Sequence, residues 1–268
     1  MTDNSNSRLE TVRRYAFYAA VLLAIAVPVF MTGEMLLWVV TGWTGFLATH
    51  SVHDLVVFGL VWMGLVGLLA QFYRATDRVN AILAMPLIMV PAAAVGLAAG
   101  TELAMMGVVF GAVSLIALAL HPAGRSLLSF DRAASPDRLL LGLYAIGALA
   151  LVAFGGLELV KQFTVADEHA IIQHYGNLAI ATFYVALFGG LAVFRGRDWR
   201  FAAWSAGFVA LYLGASSVVF PGVESSLGTV GGLLVVGWAL AFVGLVERDR
   251  GALIGAGPAV EDTEPRPG

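Results

Sequence analysis

Four of the five histidines in this sequence lie near the starts of two predicted helices, close to acidic residues. His50 and His53 are followed directly by Asp54, and His169 and His174 follow a pair of acidic residues. The spacing of His50, His53 and Asp54, at i, i+3 and i+4, places their side chains on one face of a helix. Imidazole and carboxylate groups together suit a first-row divalent transition metal.

The same histidines are compatible with other chemistry. His53 and His174 could supply the two axial ligands of a haem, or they could form a pair that responds to protons near neutral pH. Glu102 and Glu224 lie in two short turns on the same predicted side of the membrane, and Glu158 ends the fifth predicted helix there. We therefore predict His53 and His174 as cofactor-binding residues. The predicted metal site comprises His50, His53, Asp54, Glu102, His169, His174 and Glu224.

The composition determines what kind of element can position these side chains. Of 268 residues, 59% are hydrophobic and only 12% are charged, with a mean hydropathy of +0.85. A soluble domain carries about 25% charged residues, so much of the surface of this protein must face lipid. The chain has no cysteine, which excludes disulfides and thiolate ligands. The net charge of -3 gives no indication of a nucleic-acid partner.

Eight apolar stretches are long enough to predict membrane-spanning helices, because a helix needs about 20 apolar residues to cross the hydrocarbon layer. The stretches are continuous and do not alternate with polar residues, which favours helices over barrel strands. They run from Tyr15 to Met31, Val52 to Tyr73, Val79 to Ala99, Leu103 to Leu120, Leu139 to Val160, Ala170 to Phe194, Phe201 to Phe220 and Ser226 to Val246. The predicted fold class is an all-α integral membrane protein.

The arginines predict the orientation of these helices. With eight crossings, every arginine falls in the N-terminus, in residues 74–78, 121–138 and 195–200, or in the C-terminal tail. The opposite side holds a single cation, Lys161, together with seven of the 18 acidic residues. Since positively charged short loops stay in the cytoplasm, we predict a cell-membrane protein with both termini cytoplasmic.

The two halves of the chain resemble each other at an offset of 121 residues. His53 corresponds to His174, Arg74 to Arg195 and Asp77 to Asp198. This offset predicts a tandem four-plus-four parallel repeat related by an axis along the membrane normal. The predicted units are an N-terminal half (1–120), a cytoplasmic linker (121–138), a C-terminal half (139–250) and a disordered tail (251–268).

Two further repeated features have structural interpretations. In each repeated turn the aspartate could cap the following helix while the arginine anchors at lipid head groups. The pair Gly107 and Gly111 corresponds to Gly228 and Gly232, and such Gly-x-x-x-Gly pairs allow close helix contacts.

No motif specifies a reaction, so the sequence leaves open whether the protein is an enzyme. The leading hypothesis is a pseudo-symmetric extracytoplasmic histidine and carboxylate site that binds haem or a divalent transition metal in a redox or metal-handling role. One alternative is a permease for a small neutral solute, for which Asn177, Ser216 and Ser217 are candidate residues. A second alternative is a non-catalytic subunit or scaffold of a membrane complex. The expected partners are membrane lipids and further copies or other subunits in the membrane, with no nucleic acid.

Overall fold

The computed structural model describes residues 3–41, 46–129 and 136–255, and these are almost entirely helical. The α-helices are α1 (Asp3–Thr41), α2 (Phe46–Leu69), α3 (Ala84–Ala99), α4 (Ala104–Leu120), α5 (Arg138–Thr164), α6 (Glu168–Ile171), α7 (His174–Phe194), α8 (Trp199–Val219) and α9 (Gly228–Gly255). Short 3-10 helices occupy Ala70–Phe72, Ala75–Asp77 and Gly124–Leu128. Residues 130–135 of the predicted linker and most of the predicted tail lie outside the described ranges.

Among the described residues, which are almost entirely helical and form no sheet, six helices contain a segment long and apolar enough to cross a membrane, so the chain is a multi-pass membrane protein. These segments are Arg8–Phe30, Ala48–Phe72, Arg138–Thr164, His174–Phe194, Trp199–Val219 and Gly228–Arg250. The helices α3 and α4 are as apolar but contain only 16 and 17 residues. At about 1.5 Å per residue they extend roughly 25 Å, which is less than the hydrocarbon thickness of about 30 Å. The predicted count of eight crossings is therefore not confirmed.

The helices divide into central and peripheral ones. The membrane-crossing segments of α2, α7 and α8 are each 61% buried, whereas that of α5 is only 22% buried. Large apolar side chains such as Ile146 and Leu149 on α5 are exposed, as expected for a surface in contact with lipid. The central helices therefore provide the interior in which a buried site can form.

The neighbours of each helix follow the same pattern in both parts of the chain. In the first part α1 packs on α2 and α4, and α3 packs on α2 and α4. In the second part α5 packs on α7 and α9, and α8 packs on α7 and α9. The two parts meet where α2 contacts α7 and α8 and where α3 contacts α7.

Contacts between distant segments bring many arginines to one end of the bundle, which we call the arginine end. Arg13 donates from Nη2 to the carbonyl of His121 at 2.9 Å, and Arg248 donates from Nη2 to Asp137 at 2.7 Å. Arg195 donates to the carbonyl of Leu127 at 2.8 Å. We call the opposite end, which carries His50, His53, His169 and His174, the histidine end.

The turn that contains Arg195 and Asp198 joins the two parts of the chain at the arginine end. Arg195 is 3% exposed and donates from Nη1 to Asn80 Oδ1 at 2.7 Å. Asp198 Oδ2 accepts from the backbone N–H groups of Asn80 at 2.9 Å and Ala81 at 3.0 Å. Burial raises the pKa of Asp198, and those N–H groups and the nearby Arg78 act in the opposite direction.

The predicted roles of this second turn are wrong. Asp198 makes no side-chain hydrogen bond that caps α8, and Arg195 is buried and does not reach lipid head groups. Both side chains instead make hydrogen bonds that join one part of the chain to the other. In the corresponding first turn, Arg74 and Asp77 are exposed.

The Gly-x-x-x-Gly pairs allow close helix packing at only some of the predicted positions. A Cβ atom on Gly107 would lie 2.8 Å from the backbone nitrogen of Ala93, and one on Gly232 would lie 2.6 Å from the carbonyl oxygen of Gly214. Gly228 instead begins α9 with φ 68 and has no atom within 4 Å of such a Cβ position. It therefore supplies a left-handed backbone conformation rather than a helix contact.

The fifth histidine, His121, is fully buried at the arginine end. Its Nε2 lies 3.0 Å from Gln71 Oε1, and its Nδ1 accepts from the N–H of Ala123 at 3.1 Å. Burial lowers the pKa of His121 to about 4, and the nearby Arg13 acts in the same direction. The folded protein therefore holds this imidazole neutral.

We expect the stability of the protein to fall as the pH decreases from 6.5 to about 4, because the unfolded chain then binds a proton that folded His121 does not accept. The contribution of His121 should be complete above pH 6.5 and should not change further below about 4. Thermal unfolding of the detergent-solubilised protein across this range measures the effect. The His121→Gln variant should show a smaller dependence on pH in this window, and an unchanged dependence would contradict the assignment.

Candidate functional site

The first two histidines and Asp54 are positioned by α2. This helix is continuous from Phe46 to Leu69, so His50, His53 and Asp54 lie on one face near its first turns. Both imidazoles are almost completely buried, and Asp54 is 6% exposed. That face of α2 is directed towards α7 in the interior of the bundle.

The other two histidines are positioned by a break between two helices. The short helix α6 ends at Ile171, and Gln173 adopts a left-handed conformation with φ 62 before α7 begins at His174. In a continuous helix, His169 and His174 would point about 140° apart, since each residue turns the helix by about 100°. The break removes this constraint and allows both side chains to reach the same neighbours.

The four imidazoles form one group, which we call the histidine cluster (His50, His53, His169 and His174). The ring of His50 lies 4.4 Å from that of His169 and 4.9 Å from that of His174, measured between centroids. The ring of His53 lies 4.9 Å from His169 and 5.1 Å from His174. His169 and His174 are 6.0 Å apart. Each histidine of α2 therefore contacts both histidines from the second part of the chain.

Several ring nitrogens in the cluster have no hydrogen-bond partner among the described residues. These are both nitrogens of His53 and the Nδ1 of His174. A buried polar group without a partner costs about 1–3 kcal/mol. The interior of the cluster thus contains nitrogen atoms able to bind a proton, a hydrogen-bonding group or a metal ion.

The rings stack on each other through their faces. His53 and His174 are inclined by only 18°, and His50 and His169 by 29°. In this conformation, no three of the histidine and acidic side chains in residues 3–41, 46–129 and 136–255 form a group whose geometry could hold a metal ion. Binding of an ion would therefore require the imidazoles to rotate.

Polar side chains lie against the outer nitrogens of three of the histidines. Asp54 Oδ1 lies 3.4 Å from Nε2 of His174, and Asp167 Oδ2 lies 3.5 Å from Nδ1 of His169. Thr49 Oγ1 lies 3.0 Å from Nδ1 of His50. Each of these contacts engages one nitrogen of an imidazole and so restricts the rotation of that ring, which determines where its other nitrogen points.

Asp167 also connects the cluster to Tyr175. The Tyr175 hydroxyl donates to Asp167 Oδ2 at 2.8 Å, and the N–H of Ala170 donates to Oδ1 at 3.0 Å. Although partial burial acts to raise the pKa of Asp167, these two hydrogen bonds and His169 hold it below its ordinary value. The ring of Tyr175 contacts His53 at 5.8 Å and His169 at 5.4 Å. Asp167 therefore stays ionised beside the cluster.

The single lysine of the chain lies above this tyrosine. Lys161 Nζ is 2.9 Å from Glu158 and 2.8 Å from Glu224, and it lies 5.3 Å from the centre of the Tyr175 ring. Glu158 is buried and also accepts from Ser225 Oγ at 2.6 Å. Both glutamates are thus engaged in an ion-pair network beside the cluster.

The structure brings five of the seven predicted metal ligands together and separates the other two. The group that meets consists of Asp54 and the histidine cluster. Glu224 is paired with Lys161, and Glu102 is exposed on the wall of a separate pocket. The two short turns place these glutamates at the histidine end without directing them into the cluster.

Sequence reasoning missed three residues near the cluster: Thr49, Gln173 and Tyr175. A signal for Tyr175 was present, because the offset of 121 residues pairs it with Asp54. No sequence signal indicated that Gln173 would adopt a left-handed backbone conformation.

The two serines predicted as permease residues make hydrogen bonds within the protein. Ser216 Oγ donates to the carbonyl of Leu213 at 3.1 Å, and Ser217 Oγ accepts from the N–H of Leu227 at 3.2 Å. Both serines are buried. Asn177, in contrast, lines a cavity between α2, α3, α4 and α7.

Comparison with known proteins does not assign this arrangement to a family, since no protein-family model, curated protein or solved structure matches the chain.

Proposed function

We propose that this membrane protein binds one divalent transition-metal ion in the histidine cluster and has a metal-handling or redox role. The observation that carries the proposal is the spacing of the four rings, two from each part of the chain. Nitrogen ligands of this type suit Zn²⁺, Ni²⁺ and Cu²⁺. The burial of the cluster would shield such an ion from solvent.

The expected spacing for four imidazoles around one ion can be calculated. With a metal–nitrogen distance of about 2.1 Å, each ring centroid lies about 3.2 Å from the ion, and a tetrahedral arrangement separates the centroids by about 5 Å. The centroids in the cluster are 4.4, 4.9, 4.9, 5.1 and 6.0 Å apart for the five contacting pairs. Rotation of the rings about their side-chain torsions, with little backbone movement, would direct nitrogens inwards.

The surrounding side chains have the chemistry expected around such a site. A histidine that binds a metal usually donates its other ring N–H to a carboxylate or another acceptor, which fixes the tautomer. Asp54 is in a position to do this for His174, Asp167 for His169 and Thr49 for His50. His53 has both nitrogens available, so either one could bind the ion.

Haem is less well supported than a single ion. A porphyrin held by His53 and His174 would have to lie between two rings that are stacked at 5.1 Å and that also contact the other two histidines. Binding of haem would therefore require separation of the cluster, whereas an ion requires rotation of rings that are already adjacent.

The neighbour pattern of the helices supports the proposed four-plus-four duplication. The contacts among α1, α2, α3 and α4 recur among α5, α7, α8 and α9, and the contact of α2 with α8 corresponds to that of α3 with α7. In this proposal α3 and α4 complete eight crossings despite their length. The collection of arginines at one end supports a cytoplasmic location for both termini in a cell membrane.

Metal titration of the purified protein tests the proposed function. Protein freed of metal with a chelator and then titrated with Zn²⁺, Ni²⁺ or Cu²⁺ should retain about one ion per chain on gel filtration. A free-ion concentration of 100 times Kd should stabilise the folded protein by about 2.7 kcal/mol. The absorption spectrum of the protein as isolated tests haem at the same time. Failure to retain any of the three ions, or a Soret band with haem bound, would overturn the single-ion proposal.

A further inference from the structure

A small cavity lies immediately beyond the histidine cluster along α2 and α7. It measures about 70 Å³ and its walls are mostly apolar, with Val57 one helical turn from His53 and Val61 one turn further. The polar side chains in its lining are Gln173 and Asn177. We call it the inner cavity. Its lining contains no charged side chain.

A second, larger pocket opens at the histidine end of the bundle. It measures about 520 Å³ and is formed by the turn between α3 and α4 together with the loop between α5 and α6. Gly100, Thr101, Glu102 and Gln162 are among its lining residues. We call it the rim pocket. Glu102 is exposed there, so the pocket is accessible to polar solutes.

One side chain lies between the two spaces. Gln173 lines the inner cavity, and its Oε1 accepts a hydrogen bond of 2.8 Å from Thr101 Oγ1, which lines the rim pocket. The Nε2 of Gln173 donates to the carbonyl of Ala92 at 2.8 Å and to Asn177 Oδ1 at 3.3 Å. The hydrogen bond between Thr101 and Gln173 therefore joins the wall of one space to the wall of the other.

The backbone of Gln173 is held in an unfavourable conformation. Its φ of 62 is in the left-handed region, which costs a residue other than glycine about 1–2 kcal/mol. Backbone strain of this kind persists where the surroundings impose it, and it is concentrated at ligand clamps and switch regions. Loss of the bond to Thr101 would release one of the interactions that hold Gln173 in place.

We propose that Gln173 is a gate between the rim pocket and the inner cavity, and that the inner cavity binds a small uncharged polar molecule. A lining without charged side chains disfavours ions within a membrane, while the amide of Asn177 carries a hydrogen-bond donor and an acceptor at the cavity wall. At about 10–15 Å³ for each water molecule, the cavity accommodates roughly five non-hydrogen atoms. Simple amides such as formamide and acetamide are of this size and chemistry.

The chain contains no cysteine, so a single introduced cysteine reports the accessibility of the cavity. Val61→Cys places a thiol in its wall, where the native side chain is 2% exposed. The probe is methyl methanethiosulfonate, which is small and uncharged, and the rate of modification is followed by mass spectrometry. We expect slow modification of this variant and at least a tenfold faster rate when Gln173→Ala is added.

Two further measurements complete the test. Thr101→Val removes the hydrogen bond but keeps the glutamine, and it should also accelerate modification, so the proposal stays testable if Gln173→Ala does not fold. Leu97→Cys on the exposed face of α3 controls for reagent dissolved in lipid, and neither gate variant should change its rate. Unchanged rates at Val61→Cys in the gate variants, or equal acceleration at Leu97→Cys, would overturn the gate.

Protection experiments test the ligand class. Acetamide should slow the modification of Val61→Cys in the gate variants at least twofold, whereas sucrose at equal osmolality should not. Lack of protection by acetamide, or equal protection by sucrose, would overturn the proposed binding of a small polar molecule. Thr101→Val keeps the four histidines and the helix break at Gln173, so metal retention by this variant is an independent readout of the proposed function.

Discussion

Replacing His53 and His174 together by alanine is expected to lower the affinity for Zn²⁺ or Ni²⁺ by about a thousandfold or more. Loss of a single group that only orients a ligand typically costs 10–100-fold, and this variant loses two of the four proposed ligands themselves. The two residues come from different parts of the chain and stack at 5.1 Å. Elemental analysis after gel filtration and competition with a chromogenic chelator would measure the change.

The fifth histidine provides the matched control for this variant. His121→Asn also removes an imidazole, but His121 lies at the arginine end beside Gln71 and Ala123, so the affinity for the metal should remain within about twofold of the wild type. Asp54→Asn should lie between these limits, with a loss of roughly tenfold, because Asp54 contacts His174 without being a necessary ligand. Equal metal retention by the His53/His174 variant and the control would refute the cluster as the binding site.

Asp198→Ala is expected to destabilise the protein by about 3 kcal/mol, because it leaves buried partners of a carboxylate without an acceptor. The Asp198 side chain is fully buried, and it accepts from two backbone N–H groups and lies 3.4 Å from Arg78 Nη1. Asn80, one of those backbone donors, is also held by Arg195. The loss should therefore weaken the contact between the two parts of the chain. Thermal unfolding in detergent should show a Tm roughly 6–12 °C below that of the wild type.

Asp77, which corresponds to Asp198 at the offset of 121 residues, provides the control for the loss of stability in Asp198→Ala. In contrast to Asp198, it is exposed. Substitution of an exposed residue away from such contacts changes stability by about 0.5 kcal/mol or less, so Asp77→Ala should unfold almost as the wild type does. A similar loss in both variants would show that the buried network does not hold the two parts of the chain together.

The contrast between these two aspartates shows the limit of the repeat as a guide to structure. The offset of 121 residues identifies Arg74 with Arg195 and Asp77 with Asp198, and local rules assign the same cap turn to both. Only in the second turn are the arginine and aspartate side chains buried against distant segments, where Asn80 and the carbonyl of Leu127 are their partners. The local sequence of a turn therefore does not show which distant residues its side chains will contact.

The candidate site was predictable where one helix determines it. The spacing of His50, His53 and Asp54 is sufficient to put them on one face of α2, because the helical period is fixed. The position of His174 opposite His53 was anticipated from the repeat, and both lie in the cluster. Glu102 and Glu224 were assigned to the same site only from their location in turns, which specifies an end of the bundle but not a direction.

The sequence by itself determined that this is an all-helical, multi-pass membrane protein, because long apolar stretches with few charges can be stable only in contact with lipid. It also determined that histidine and carboxylate groups are concentrated in two places along the chain. The tertiary structure decided that these places meet. It did so through the packing of α2 on α7 and through the break at Gln173, which brings His169 to His50 at 4.4 Å. Local sequence rules specify the periodicity and the polarity of a helix. The direction of a side chain after a helix break depends instead on contacts such as that of Gln173 with Thr101. Such contacts form only when distant helices pack.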